Sequence, residues 1–270
     1  MKEQLWTNVL AVREQSPLVH SITNYVVMNN TANALLAAGA SPIMAHAHPE
    51  MQDMVSIVGA LVVNIGTLDE YWVESMKRAV TKAEEVGTPW VLDPVGAGAT
   101  PYRNNVVNLL TTQFKPTVIR GNASEIMSVA RVSVQTKGVD STHESNEALD
   151  AATSLANTLD SVVCISGATD LIVSKERLLA LENGHPMMAR VTGMGCTATA
   201  LIGAFCALPK VTPFEATASA MALMGVAGEL AAEKATGPGS FQVHFLDALY
   251  AVTKEQFMER LHVKQHEAAL

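Results

Sequence analysis

The chain has 270 residues, of which 49% are apolar and only 16% charged, and it carries a formal net charge of −8. That length can bury one large α/β core, and the lack of any basic run argues against a nucleic-acid partner. Cys164, Cys196 and Cys206 have no metal-ligand spacing and no disulfide framework, as expected of a protein kept in a reducing cytoplasm.

"MKEQLWTNVLAVREQ" alternates charged and apolar residues as an amphipathic helix does, and it holds no signal-peptide h-region. Five short apolar runs then recur along the chain: "PLVHSI", "ALVVNIG", "PWVLDPVG", "TVIRGN" and "SVVCISG". Continuous apolar runs of that length, ending in Gly, Asn, Pro or Asp, predict strands buried on both faces. Helical patterns fill the gaps, over residues 31–38, 68–86, 104–112, 122–130 and 146–159. The alternation predicts an α/β fold with a mostly parallel sheet covered by helices on both sides.

"TDLIVSKERLLALENG" breaks the pattern and reads as a hairpin at a sheet edge. Helices follow over 196–208, 213–234 and 243–260. The second opens on Thr212-Pro213-Phe214-Glu215, a threonine cap, a proline at the first position and a glutamate at the third. The uncharged stretch from Val191 to Pro209 has too short a helical part for the about 20 residues a bilayer requires, so no membrane partner is expected. No linker or repeat divides the chain, which reads as a single domain over 1–270.

Ligands of open α/β sheets bind at the carboxyl ends of the strands. Asp93 closes "WVLD", Arg120 closes "TVIR", Ser166 closes "VVCIS", and "GMGC" opens the next helix. The backbone N–H groups of Gly193 to Cys196, with the helix dipole behind them, form a cradle for a phosphoryl group. "GMGCTA" also satisfies G-x-G-x-x-A, so a dinucleotide site competes, as does a plain turn. The dinucleotide motif should lie in a first βα unit, and the acid that follows, Glu215, is explained by its cap.

Asp93 can instead cap a turn through "DP", and Asn122-Ala-Ser-Glu125 is a capping box that would occupy Glu125. Two acids at neighbouring strand and helix ends also suit Mg²⁺, which needs one or two carboxylates plus substrate phosphates. Arg120 supplies a planar charged fork suited to a polyphosphate, and Ser166 with Gly167 a hydroxyl and a close backbone approach. His46 and His48 in "AHAHPE" lack a third ligand for a metal. No G-K-[ST] occurs, nor "HRD" or "DFG", which excludes the Walker loop and the protein-kinase signature set.

"VHSITN", "LDPVGAGAT", "IRGNASE", "ISGATD", "VTGMGCTATA" and "GPGSF…HFLDAL", in this order from about Pro17 to Tyr250, resemble the hydroxyethylthiazole kinase family. The resemblance implies a three-layer α/β/α ribokinase-like fold and phosphorylation of the hydroxyl of 4-methyl-5-(2-hydroxyethyl)thiazole by Mg-ATP in thiamine salvage. It also implies a cytoplasmic homotrimer with the thiazole site between subunits. By matching motif, Arg120, Ser166 and Gly195 contact ATP, and Asp93 and Glu125 organise Mg²⁺. Met44, Gly193 and Asn24 meet the thiazole, and Cys196 takes the catalytic position. Met194 departs from the family, which commonly has threonine there.

Related sugar and vitamin kinases resemble this chain but place an aspartate where Cys196 stands. A helix N-terminus is expected to lower the thiol pKa and favour thiolate there. A kinase of another vitamin precursor, such as hydroxymethylpyrimidine or pyridoxal, is the neighbouring alternative. A dinucleotide-dependent oxidoreductase and a non-catalytic nucleotide-binding protein are the distant ones.

Overall fold

The computed structural model describes residues 1–133 and 144–267. Helix α1 (Lys2–Gln15) ends on Ser16 in the left-handed conformation, and strand β1 (Leu18–Ile22) follows. Then come α2 (Met28–Ala38), β2 (Ser41–Ile43), α3 (Met51–Ile57), β3 (Ala60–Asn64), α4 (Glu70–Val86) and β4 (Trp90–Asp93). The middle of the chain forms α5 (Pro101–Thr112), β5 (Val118–Asn122), α6 (Ala123–Ser133), α7 (Glu144–Leu159) and β6 (Val162–Ser166). A hairpin of β7 (Asp170–Val173) and β8 (Arg177–Leu181) precedes α8 (Met194–Cys206) and α9 (Pro213–Lys234), and α10 (Pro238–Ala251), α11 (Lys254–Arg260) and β9 (Val263–Glu267) complete the order.

One 9-stranded sheet runs β2-β1-β3-β4-β5-β6-β7-β8-β9. The strands from β2 to β6 are mutually parallel, and β7, β8 and β9 each pair antiparallel with the strand before. The period of two decides what each face buries. Val62 joins the core under α1, α2 and α8 to α11, while its neighbours Leu61 and Val63 join the core under α3 to α7. Two cores on one sheet make the three-layer α/β/α arrangement that strand–helix alternation predicts.

Helix α8 packs across β1, β3 and β4, with Leu201, Ile202 and Phe205 fully buried, each burial contributing roughly 1.5–3 kcal/mol. Its approach is close: a Cβ on Gly203 would lie 2.5 Å from Val62 Cγ2. The uncharged stretch is therefore a core helix, and no helix of the described residues is long and apolar enough to cross a membrane.

Three expectations need correction. The segment 243–260 is two helices, because Thr253 caps a new one: its side chain accepts from Gln256 N while Gln256 returns a bond to the Thr253 backbone. The β7–β8 hairpin does not form the sheet edge, since β9 pairs with β8 outside it. Strand β5 runs two residues past Arg120, which therefore lies inside the strand, in register with Cys164. The short β2 and β9 carry too few apolar residues in period to be read from the sequence, and α3 was passed over although Met51, Met54 and Val55 fall at helical spacing. By contrast α9 has the bounds its start signal predicts, and the full Thr212–Glu215 capping box is formed.

Candidate active site

Parallel strands ending along one line bring Asn24, Asn64, Asp93, Arg120 and Ser166 together at the carboxyl edge of the sheet. Asp93 is fully buried at the end of β4, in register with Asn64 at the end of β3. Its Oδ2 accepts from Asn64 Nδ2 at 2.7 Å and from Thr199 Oγ1 at 2.8 Å. Among the described residues its Oδ1 has no hydrogen-bond partner, and it stands 4.0 Å from Arg120 Nη1. Burial pushes the Asp93 carboxyl up to about 6, against the pull of the Arg120 guanidinium and the two hydrogen bonds. The carboxylate does not cap a turn; that turn is closed by backbone, Val95 N to Asp93 O at 2.9 Å.

Arg120 donates to the Ser166 hydroxyl on the neighbouring strand β6, and its guanidinium lies against Gly195, where a Cβ would come 2.5 Å from Nη1. The three residues expected around the nucleotide thus meet. Gly193 caps α8 in the left-handed conformation, φ 83°, with no side chain on the first-turn amides. Those N–H groups point outward with the helix dipole behind them, as the cradle requires. Cys196, half-buried, stands in that first turn and accepts a hydrogen bond from Asn24 Nδ2 at 3.4 Å.

The thiol does not behave as its place on the helix suggests. Burial pushes Cys196 up to about 11, and the negative charge of Asp93 adds to this. The amides of Asn64 and Asn24 and the Arg120 guanidinium pull the other way without prevailing. Loss of solvent around sulphur is the largest influence, so the thiol is pushed up rather than down, toward the neutral form and away from the thiolate expected.

A cavity of about 530 Å³ opens beside Arg120, Ser166 and Gly195. Met188, Met194, Met221 and Met224 line it, an adaptable apolar wall suited to a flat base. Its outer wall is fixed from α9, where Glu229 Oε1 accepts from Asn183 Nδ2 at 2.8 Å and from Gly184 N at 3.1 Å.

Glu125 forms the capping box: its Oε2 accepts from Asn122 N at 2.8 Å, and Asn122 Oδ1 accepts from Glu125 N at 2.9 Å. Its Oε1 accepts from Gly96 N at 2.9 Å, which ties down the "PVGAG" loop beside Asp93. Each oxygen keeps a lone pair. Among the described residues no group of three or more His, Cys, Asp or Glu forms a closed metal cage. The unpartnered Asp93 Oδ1 and the spare lone pairs of Glu125 do fit an ion held mostly by waters and phosphates.

Met44 follows β2, two strands from β3, and shares no hydrogen bond with Asn24, Gly193 or Cys196. Its loop is anchored instead: His20, buried in β1, donates from Nε2 to Ala45 O at 2.8 Å, and Ser75 Oγ donates to His46 O at 2.6 Å. The His46 ring stacks on Trp72 and the His48 ring on Tyr71, each histidine with its own aromatic partner. Sequence reading did not single out Asn64 or Thr199. Both were within reach, since Asn64 ends "ALVVN" at the same edge as Asp93, and Thr199 falls one helical turn after Gly195.

The hydroxyethylthiazole kinase family model matches residues 9–255, and a hydroxyethylthiazole kinase of Syntrophus aciditrophicus is 55% identical over 97% of each chain. The chain belongs to the hydroxyethylthiazole kinase family. As a member it is a phosphotransferase, and a kinase family implies use of ATP. The structure of a hydroxyethylthiazole kinase from Pyrococcus horikoshii superposes with a TM-score of 0.91 at 42% identity, covering 99% of this chain and 100% of that one. A pyridoxal kinase from Staphylococcus aureus, in complex with AMP-PCP and pyridoxal, gives a TM-score of 0.61 at 18% identity, covering 79% of this chain and 88% of that one. That distant likeness shows the ribokinase-like fold alone.

Proposed function

We propose that this hydroxyethylthiazole kinase family member transfers the terminal phosphoryl group of ATP to the hydroxyl of 4-methyl-5-(2-hydroxyethyl)thiazole, a step of thiamine salvage. One observation carries the reading at the level of the site. Arg120, Ser166, Gly195 and Cys196 converge at the uncapped N-terminus of α8, between an apolar cavity and a chain of buried amides. The cavity takes the base, Arg120 and Ser166 grip the phosphates, and the α8 amides face the group in transfer. Gly193, Asn24 and Met44 bound the thiazole on the opposite side of Cys196.

Asp93 and Glu125 would hold Mg²⁺, which when bound neutralises phosphate charge. Phosphoryl transfer passes through a loose transition state, so positioning and fixed charge matter more than a strong base. A neutral Cys196 thiol is consistent with that: it orients the alcohol, whose proton passes late to a phosphoryl oxygen or to water, while the α8 amides and Arg120 meet the charge spreading over the phosphoryl oxygens. The protein works as a cytoplasmic homotrimer with the thiazole site between subunits, a reading supported by family membership and by exposed Tyr25 and Val26 beside Asn24.

ADP release in the presence of ATP, Mg²⁺ and each of three alcohols tests the activity. The thiazole alcohol supports turnover, whereas hydroxymethylpyrimidine and pyridoxal do not. Turnover with either of these and none with thiazole would replace the substrate, and NADH binding would reopen the dinucleotide reading. Light scattering after size exclusion checks the trimer.

A further inference from the structure

Three strand ends are joined by side-chain amides whose directions are not free. Asn64 Oδ1 accepts from the backbone N–H of Gly66 at 2.9 Å, and a backbone amide can only donate. The Asn64 NH₂ group must therefore face the other way, where it donates to Asp93 Oδ2 at 2.7 Å. Asn24 is fixed by the same logic. Its Oδ1 accepts from Val26 N at 3.1 Å, which leaves its NH₂ group to donate to Asn64 Oδ1 at 2.9 Å and to the Cys196 sulphur at 3.4 Å. Each hydrogen bond from Asp93 to Cys196 thereby has its donor assigned, and Asn64 is the side chain that joins Asp93 to Asn24.

The turn after β3 is shaped to hold this arrangement. Arg103 donates to the carbonyls of Ile65 at 2.5 Å, Val95 at 2.7 Å and Gly66 at 2.7 Å, clamping the backbone that presents Gly66 N. Gly66 also leaves the room that Asn24 occupies, since a Cβ there would fall 2.5 Å from Asn24 Nδ2 and 2.8 Å from Asn24 Cβ.

We infer that Asn64 is a positioning residue for the transfer: it sets the Asn24 amide so that an N–H points at the Cys196 sulphur, leaving the thiol hydrogen for the side where the alcohol lies. Asn64 acts on the sulphur through Asn24 and by its own amide, and touches neither substrate. The inference rests on the reading of Cys196 given above for its effect on turnover, but not for the hydrogen bond to sulphur.

The test uses the full chain and three variants: Asn64→Leu, Cys196→Ala and the two combined. Asn64→Leu lowers kcat about tenfold or more while the ATP Kd stays within about twofold. In the Cys196→Ala background, which leaves Asn24 no acceptor, the same change costs less than about threefold, because residues that act through one atom are not additive. Additive losses overturn the inference. A second readout is the rate of Cys196 alkylation by iodoacetamide at about pH 8.5, followed by peptide mass. Losing a donor to sulphur disfavours thiolate, so Asn64→Leu slows it about threefold or more. An unchanged or faster rate overturns the inference.

Should Cys196→Ala keep full kcat, the catalytic reading of Cys196 falls and the alkylation rate alone decides the placement of Asn24. Where Asn64→Leu does not fold, Asn64→Ser replaces it. Gly66→Ala, which displaces Asn24 and leaves Asn64 intact, is expected to slow alkylation likewise; an unchanged rate there also counts against the relay.

Discussion

The Thr199 hydroxyl donates to Asp93 Oδ2 at 2.8 Å, a bond that fastens the second turn of α8 to the end of β4. The helix whose first turn is proposed to face the phosphoryl group is thereby held by the acid proposed to face Mg²⁺. A buried carboxylate needs donors, and a helix terminus needs a fixed address, so one bond meets both requirements.

Thr199→Val keeps the shape and removes the donor. Asp93 then retains Asn64 and the Arg120 charge only, and its carboxyl rises further. Stability is expected to fall by about 1–3 kcal/mol and kcat by about tenfold, because α8 is no longer tied to β4. Thermal melts and steady-state rates on the same preparation check both. A variant with wild-type kcat would show that the bond has no part in placing α8.

Arg120→Lys leaves a positive charge but removes the fork that reaches Ser166 and lies against Gly195. About 1–3 kcal/mol of ATP binding should be lost, roughly tenfold or more in Kd, with the fold intact. Calorimetry with ATP measures this directly. Unchanged affinity would place the triphosphate elsewhere.

Cys196→Ser is expected to retain about a tenth or more of wild-type kcat, because a neutral thiol raised to about 11 gives little base strength for the variant to lose. Complete loss with ATP binding preserved would make the thiol an obligatory base. In the unliganded wild-type protein, alkylation of Cys196 at pH 7 should run well below that of a free thiol, and a faster reaction would contradict the buried, neutral state.

Asp170 gives a pH prediction with a definite sign. Its carboxyl is pushed up to about 6, chiefly by burial, from an ordinary value of 3.8. Between those values the folded chain holds a proton that the unfolded chain has released. Stability attributable to this group therefore falls as pH rises from about 4 to 6, and stays lower above that. Asp170→Asn keeps the acceptor for Gly167 N and removes the charge. The variant should be more stable at pH 7 by on the order of 2 kcal/mol, with the gain gone below about pH 4. Urea melts at the two pH values distinguish this from a pH-independent packing effect.

The amphipathic first helix, the parallel strands and the late run of helices were legible because each has a local cause: a period, a cap or a turn residue. The Thr212–Glu215 box set the start of α9, and the five apolar runs became β1, β3, β4, β5 and β6. Strand ends pointed to Asp93 and Ser166 because a parallel sheet aligns its carboxyl termini, and to Arg120 although β5 runs two residues past it. Asn64 was passed over since a lone asparagine after an apolar run reads as a turn residue. Its partners Asn24 and Asp93 lie 40 and 29 positions away, a pairing no local signal contains.

What the sequence decided alone was the layer order, the strand ends where a ligand can sit, and the family to which six ordered motifs belong. The first two follow from short-range sterics and the period of apolar residues, and the family follows from the resemblance those motifs carry. Tertiary structure decided the protonation of Cys196, the direction of each amide between it and Asp93, and the place of β9 outside the hairpin. Desolvation and hydrogen-bond direction depend on every group that packs around an atom, and only the folded chain brings those groups together.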